Sequence, residues 1–196
     1  MTEIVEEIST PLPLFMTREN TCCFTGHRGI PLHDEHLLPP LLDHTISELH
    51  SIGYKYFICG GALGFDMLAE QAIIRAIKNN LDVELILALP CANQTERWHT
   101  ENPNGLCSVR EYQKIKGYAS SIRYSSREHT PDCMKNRNEY MVSLSSFCVA
   151  YYNGVIKSGS GQTYRMARKA GLDVLNLYDA FRESELDIIN INSSQI

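Results

Sequence analysis

Two short glycine-rich runs carry the chemistry of this chain. Each follows an apolar stretch and opens into a helical pattern. The first is Cys59-Gly60-Gly61-Ala62-Leu63-Gly64-Phe65-Asp66, and the second is Ser158-Gly159-Ser160-Gly161-Gln162-Thr163. A strand that ends in glycines and enters a helix presents backbone N–H groups at the positive end of a helix dipole, a simple cradle for phosphate. In the second run hydroxyls accompany the glycines, so Gly159, Ser160, Gly161 and Thr163 are read as phosphate ligands. It is not a P-loop, because no lysine follows the last glycine at the required place. In the first run Gly60, Gly61 and Gly64 are read as ligand-binding positions facing the sugar, although they are not spaced as G-x-G-x-x-G and close strand–helix packing also demands glycine. Asp66 has two readings: a helix cap, or a carboxylate that binds a ribose hydroxyl or polarises a water.

Further candidates stand after other apolar runs. In Thr25-Gly26-His27-Arg28, Gly26 lets the backbone approach a ligand, Thr25 precedes it, and Arg28 can grip a phosphate with its planar fork. Trp98 is the single tryptophan, and it is read either as a stacking wall for a base or as a loop anchor. Arg137 lies in a helical pattern beside apolar residues, where a guanidinium must find a partner or remain desolvated, so an anion is its expected ligand. Glu139, two residues on, joins Asp66 as a candidate catalytic carboxylate.

The elements that position these residues alternate. Apolar strand-like runs cover 21–25, 56–59, 83–89, 120–124, 146–152 and 174–177. Helical spacing of apolar residues covers 37–52, 66–79, 130–143 and 162–170, with Gly53 and Gly171 as stops. The segment 91–117 reads as a long polar stretch without an assigned helix. This alternation predicts an α/β, Rossmann-like fold, a mainly parallel sheet with helices on both faces. Ligands in such sheets sit beyond the carboxyl ends of the strands, where every unusual turn here falls. Residues 1–20 are expected to form an extended arm, 21–182 a single domain, and 183–196 a flexible tail.

Bulk properties narrow the function. The chain has 196 residues, 43% hydrophobic and 21% charged, with a formal net charge of −5. That length fits one domain with a full core, and the acidic balance disfavours duplex DNA as a partner. No apolar run reaches the length of a membrane span, so no membrane partner is expected. The acidic start (Glu3, Glu6, Glu7) is not a signal peptide, and a cytoplasmic location follows as the expectation. The cysteines at 22, 23, 59, 91, 107, 133 and 148 form no C-x-x-C pair. Buried free thiols are expected, with no metal site and no cofactor.

Five motifs in order carry a resemblance: Phe24 to Arg28, Cys59 to Asp66, Leu89-Pro90-Cys91, Arg137-Asn138-Glu139-Tyr140-Met141, and Ser158 to Thr163. Over about residues 20 to 178 the chain resembles the SLOG superfamily, and within it the YpsA-like branch, known as a domain of unknown function. The resemblance implies a Rossmann-like fold and a nucleotide or nucleotide-derived ligand at the glycine-rich turns. It also admits a homodimer, since superfamily relatives often pair through helices. The superfamily includes the LOG enzymes, which release a base from a nucleoside monophosphate through a signature resembling P-G-G-x-G-T-x-x-E. Here Tyr164, Arg165 and Met166 follow the second run and no glutamate does, although glycosidic cleavage needs a carboxylate. The expectation is therefore a protein that binds or senses a nucleotide. A phosphoribohydrolase using Asp66 or Glu139 is the alternative, and single-stranded DNA binding, as in DprA relatives, a weaker one.

Overall fold

A computed structural model describes residues 8–98 and 109–180 of the chain. The expected tail at 183–196, residues 1–7 of the expected arm, and 99–108 of the polar stretch lie outside the described residues. In chain order the elements are β1 (Thr21–Gly26), α1 (Leu32–Ser51), β2 (Tyr56–Cys59), α2 (Phe65–Lys78) and β3 (Glu84–Leu89), followed by a 3-10 turn (Gln94–Arg97). Then come α3 (Val109–Lys116), β4 (Ala119–Tyr124), α4 (Cys133–Ser143), β5 (Phe147–Tyr151), α5 (Gly159–Lys169) and β6 (Asp173–Asn176).

All six strands run parallel in the order β4-β3-β2-β1-β5-β6. The near-continuous burial of β1, β2, β3 and β5 is what a sheet covered on both faces requires, while the edge strands β4 and β6 are partly exposed. Period-two alternation sorts the side chains between two cores. Cys22, Phe24, Phe57, Leu85, Leu87 and Val149 pack with Leu42 and Ile46 of α1, Ile73 of α2 and Ile115 of α3. On the other face Cys23, Ile58, Ile86 and Cys148 pack with Met141 of α4 and Ala167 of α5. The Rossmann-like α/β architecture with helices on both faces is thus present.

Strand order places the functional face. From β1 the chain winds outward through β2 and β3 to β4, then returns through α4 to lay β5 on the other side of β1, with Gly26 registered against Tyr151. The ends of β1 and β5 therefore diverge into loops on opposite sides, which opens a crevice at this switch in direction.

Three boundaries differ from the sequence expectation. α1 begins at Leu32 rather than 37 and runs through Pro39 and Pro40. α3 lies inside the stretch read as polar loop, burying only Tyr112 and Ile115. α5 starts at Gly159, so the second glycine-rich run forms the helix's first turn rather than a loop before it. Part of the arm is also in place. The Ser9 Oγ accepts the Tyr124 N–H (3.2 Å), and the Thr10 N–H donates to Ile122 O (2.9 Å), which fastens the arm along edge strand β4.

Candidate functional site

A cleft of about 300 Å3 opens at the switch between β1 and β5. Thr25, Gly26, His27 and Arg28 line it from the end of β1, Asp66 from α2, Met134, Arg137, Asn138 and Met141 from α4, and Ser158 to Ser160, Gln162 and Thr163 from α5. Among the sequence candidates, the structure brings together Thr25, Gly26, Arg28, Asp66, Arg137, Gly159, Ser160 and Thr163 around this one cleft.

The α5 end is built as an anion-facing helix start. Ser158 caps the helix, its Oγ accepting the Gly161 N–H at 3.0 Å, and the Gln162 N–H donates to Ser158 O at 3.0 Å. The amides of Gly159 and Ser160 belong to the first-turn N–H groups that an α-helix leaves without an intrahelical acceptor. Gly161 supports this turn rather than the cleft, because a Cβ there would meet Ser158 Oγ and Tyr152 at 2.9 Å. His27 joins the loop after β1 to this helix. Its Nε2 accepts the Asn153 N–H at 3.2 Å, which leaves the proton on Nδ1, 3.0 Å from Ser160 Oγ.

The opposite wall holds a buried charged group of three. Arg137 is 8% exposed and Asp66 4%. Arg137 Nη1 stands 3.6 Å from Asp66 Oδ2, an ion pair longer than a hydrogen bond, and among the described residues Arg137 Nε and Nη1 have no hydrogen-bond partner. Asp66 Oδ2 accepts the Ala62 N–H at 3.4 Å. Behind it, Glu70 is fully buried and accepts the Gly61 N–H at 3.0 Å through Oε1, while its Oε2 is unpartnered. Burial raises the Asp66 carboxyl above its usual range, against the opposing pull of Arg137. Burial and then the neighbouring Asp66 charge push Glu70 well up. Desolvation lowers Arg137, with Asp66 acting the other way.

Of the first glycine-rich run, Ala62 and Asp66 line the cleft, while its glycines support the buried side chains. At Gly60 a Cβ would come within 2.5 Å of Arg137 Cζ, so the missing side chain is the space the guanidinium occupies. Gly61 (φ +63°) is braced by the Gln94 side chain, whose Nε2 donates to Gly61 O at 2.9 Å. Gly64 (φ +83°) begins α2 against the backbone of Arg28. Asp66 is not the cap of that helix; Gly64 is at that position.

Two candidates lie elsewhere. Trp98 packs edge-on against Tyr112, ring centroids 5.2 Å apart, beside the core under α3, which makes it the loop anchor of its two readings. Glu139 points off the outer side of α4 with its side chain half exposed, 3.7 Å from Lys135 Nζ. Residues 137 and 139 are about 200° apart around a helix, so the two cannot share a wall. Glu70, Asn138 and Met134 were not singled out from sequence, although their signals are there. Glu70 is one helical turn beyond Asp66, and positions 134, 137, 138 and 141 form one helical stripe.

The six described cysteines are free and buried. Among the described residues no group of His, Cys, Asp and Glu is placed to hold a metal, and no helix is long and apolar enough to cross a membrane.

Comparison with known proteins places this geometry. By structure the chain is similar to DNA processing protein A from Helicobacter pylori, a protein described for its single-stranded DNA binding mode. The TM-score is 0.55 at 19% identity, over 81% of this chain and 64% of that one. This chain thus spans less than two thirds of that protein, and the likeness is one of fold. By sequence it is 31% identical over 157 residues to the uncharacterized SPbeta prophage-derived protein YoqJ of Bacillus subtilis (strain 168), covering 74% of this chain and 88% of that protein. The family model YpsA, described as the YspA SLOG family, matches residues 22–175, which span every strand and helix around the cleft, and the chain belongs to that family.

Proposed function

We propose that the protein binds a nucleotide or nucleotide derivative in the cleft between β1 and β5, as a single domain over 21–182. The phosphate lies at the first turn of α5, on the amides of Gly159 and Ser160 and the nearby hydroxyls, with Arg28 at the mouth. The sugar lies toward Asp66. The observation that carries this reading is Arg137, a buried guanidinium on the cleft wall with two N–H-bearing nitrogens lacking acceptors. Leaving such groups unmade is costly, so the pocket is arranged for a ligand rich in acceptors. An open helix start in the same cleft supports the same conclusion.

The test is a nucleotide panel, including AMP and ADP-ribose, read by melting temperature. Binding raises it in proportion to ligand excess over Kd. Gly159→Asp puts a carboxylate at the helix start, where a Cβ meets nothing within 4 Å, and removes the shift while keeping the fold. A panel in which no nucleotide moves the melting temperature refutes the reading.

One observation favours cleavage of an N-glycosidic bond as a second reading. Asp66 lies in the cleft with its carboxyl raised by burial, a state suited to proton transfer. Free base released from AMP, and lost in Asp66→Asn, would establish it.

A further inference from the structure

We propose that Asp66, Arg137 and Asn138 together hold the hydroxyls of a ribose, so that the ligand is a ribonucleotide and 2′-deoxyribonucleotides are rejected. This rests on the nucleotide reading above and assigns the half of the cleft that the phosphate does not use. The three side chains are 4%, 8% and 5% exposed and line one wall. Arg137 Nε and Nη1 have no acceptor, and its Nη2 meets only Met134 Sδ at 4.0 Å. Among the described residues the Asn138 carboxamide has no hydrogen-bond partner, and Asp66 receives the long Ala62 amide bond at 3.4 Å.

The chemistry of the occupant follows by elimination. A second anion here would face the Asp66 carboxylate. A cation would face Arg137, whose charge Arg28 already opposes. An apolar group would leave Arg137 Nε and Nη1 buried without acceptors. A neutral group that donates to a carboxylate while accepting from a guanidinium and an amide satisfies the wall, and a hydroxyl does both at once. Adjacent hydroxyls on one ring do so for several partners together. The site is built for this arrangement, since Gly60 gives up its side chain to seat Arg137. The phosphate has its own place at α5 and does not compete for these groups.

The experiment measures binding of AMP, 2′-deoxy-AMP and 3′-deoxy-AMP to the full chain by calorimetry, and repeats it with Asp66→Asn. AMP is expected to bind at least about tenfold more tightly than either deoxy analogue, the usual scale when a buried polar group loses its partner. In Asp66→Asn that ratio should collapse toward one. Equal affinity of AMP and 2′-deoxy-AMP in the unaltered protein overturns the ribose assignment while leaving nucleotide binding intact. An unchanged ratio in Asp66→Asn overturns the role of Asp66. If none of the three binds but another nucleotide of the panel does, that nucleotide and its 2′-deoxy form take their place; if no nucleotide binds, the nucleotide reading itself falls.

Discussion

Gly60→Ala tests how the cleft is supported without reference to any ligand. The added Cβ would stand 2.5 Å from Arg137 Cζ and 2.7 Å from Asp66 Oδ2, and closer still to Arg137 Nη1. Gly60 does not have a positive φ, so its backbone accepts alanine, and the penalty comes from displacing the guanidinium from its buried seat. Overpacking of this kind costs about 1–3 kcal/mol. If the guanidinium is the obstacle, the penalty should largely vanish once it is gone. In an Arg137→Met background, which keeps an apolar stem, Gly60→Ala should cost no more than about half its value in the unaltered protein. The remainder reflects Asp66 Oδ2. Urea denaturation of the four proteins of this double-mutant cycle gives the coupling directly. Equal penalties in the two backgrounds would show that Gly60 is not the seat of Arg137 and would remove the structural basis for the buried wall.

Glu70→Gln should stabilise the protein at neutral and alkaline pH. The folded pKa lies above the ordinary value of 4.5, so the folded state holds its proton longer than the unfolded chain does. Stability is therefore lost as pH rises from about that value toward the folded pKa, by about 1.4 kcal/mol for each unit of displacement. Stability measured across pH should fall less steeply in the variant, and identical profiles would contradict the burial of an ionisable carboxyl. Gly64→Ala combines a φ of +83° with a Cβ 2.6 Å from Arg28 Cα, so unfolding should be easier by more than about 2 kcal/mol, measured by thermal melting. Gly159→Asp has open space around its Cβ and should leave stability within about 0.5 kcal/mol while abolishing the AMP-induced melting shift.

The strands were legible because a doubly covered parallel sheet writes them as continuous apolar runs, as in Leu85 to Leu89. The order of turns then located the cleft before any contact was known. α3 was not legible, because its eight residues bury only Tyr112 and Ile115 and, apart from Val109, the rest of its length is charged or polar. α1 starts five residues ahead of its apolar spacing because Leu32 to His36 is mostly polar and carries no apolar stripe, and the helix continues through Pro39 and Pro40. Arg137 was found through its chemistry, an arginine among apolar neighbours. Trp98 was offered for a base because aromatic faces suit bases, yet its partner Tyr112 lies in the helix that went unassigned. The division of labour among the glycines depends on distances to Arg137, Leu89 and Arg28 that no local pattern records.

Residues that meet across the cleft are far apart along the chain. His27 and Ser160, hydrogen-bonded at 3.0 Å, are separated by 133 positions. Because the helix carrying Ser160 follows β5, which returns to the far side of β1, the α5 wall cannot be completed until nearly the whole domain has been synthesised. The earlier β1–β4 portion can collapse through neighbouring strands, but it holds Arg28 and Asp66 without Arg137 or the start of α5. Closing the cleft therefore carries the entropic cost of joining segments far apart along the chain. Whatever occupies it is linked to the entire fold: a small molecule there bridges the first and last thirds of the domain and resists unfolding of both together.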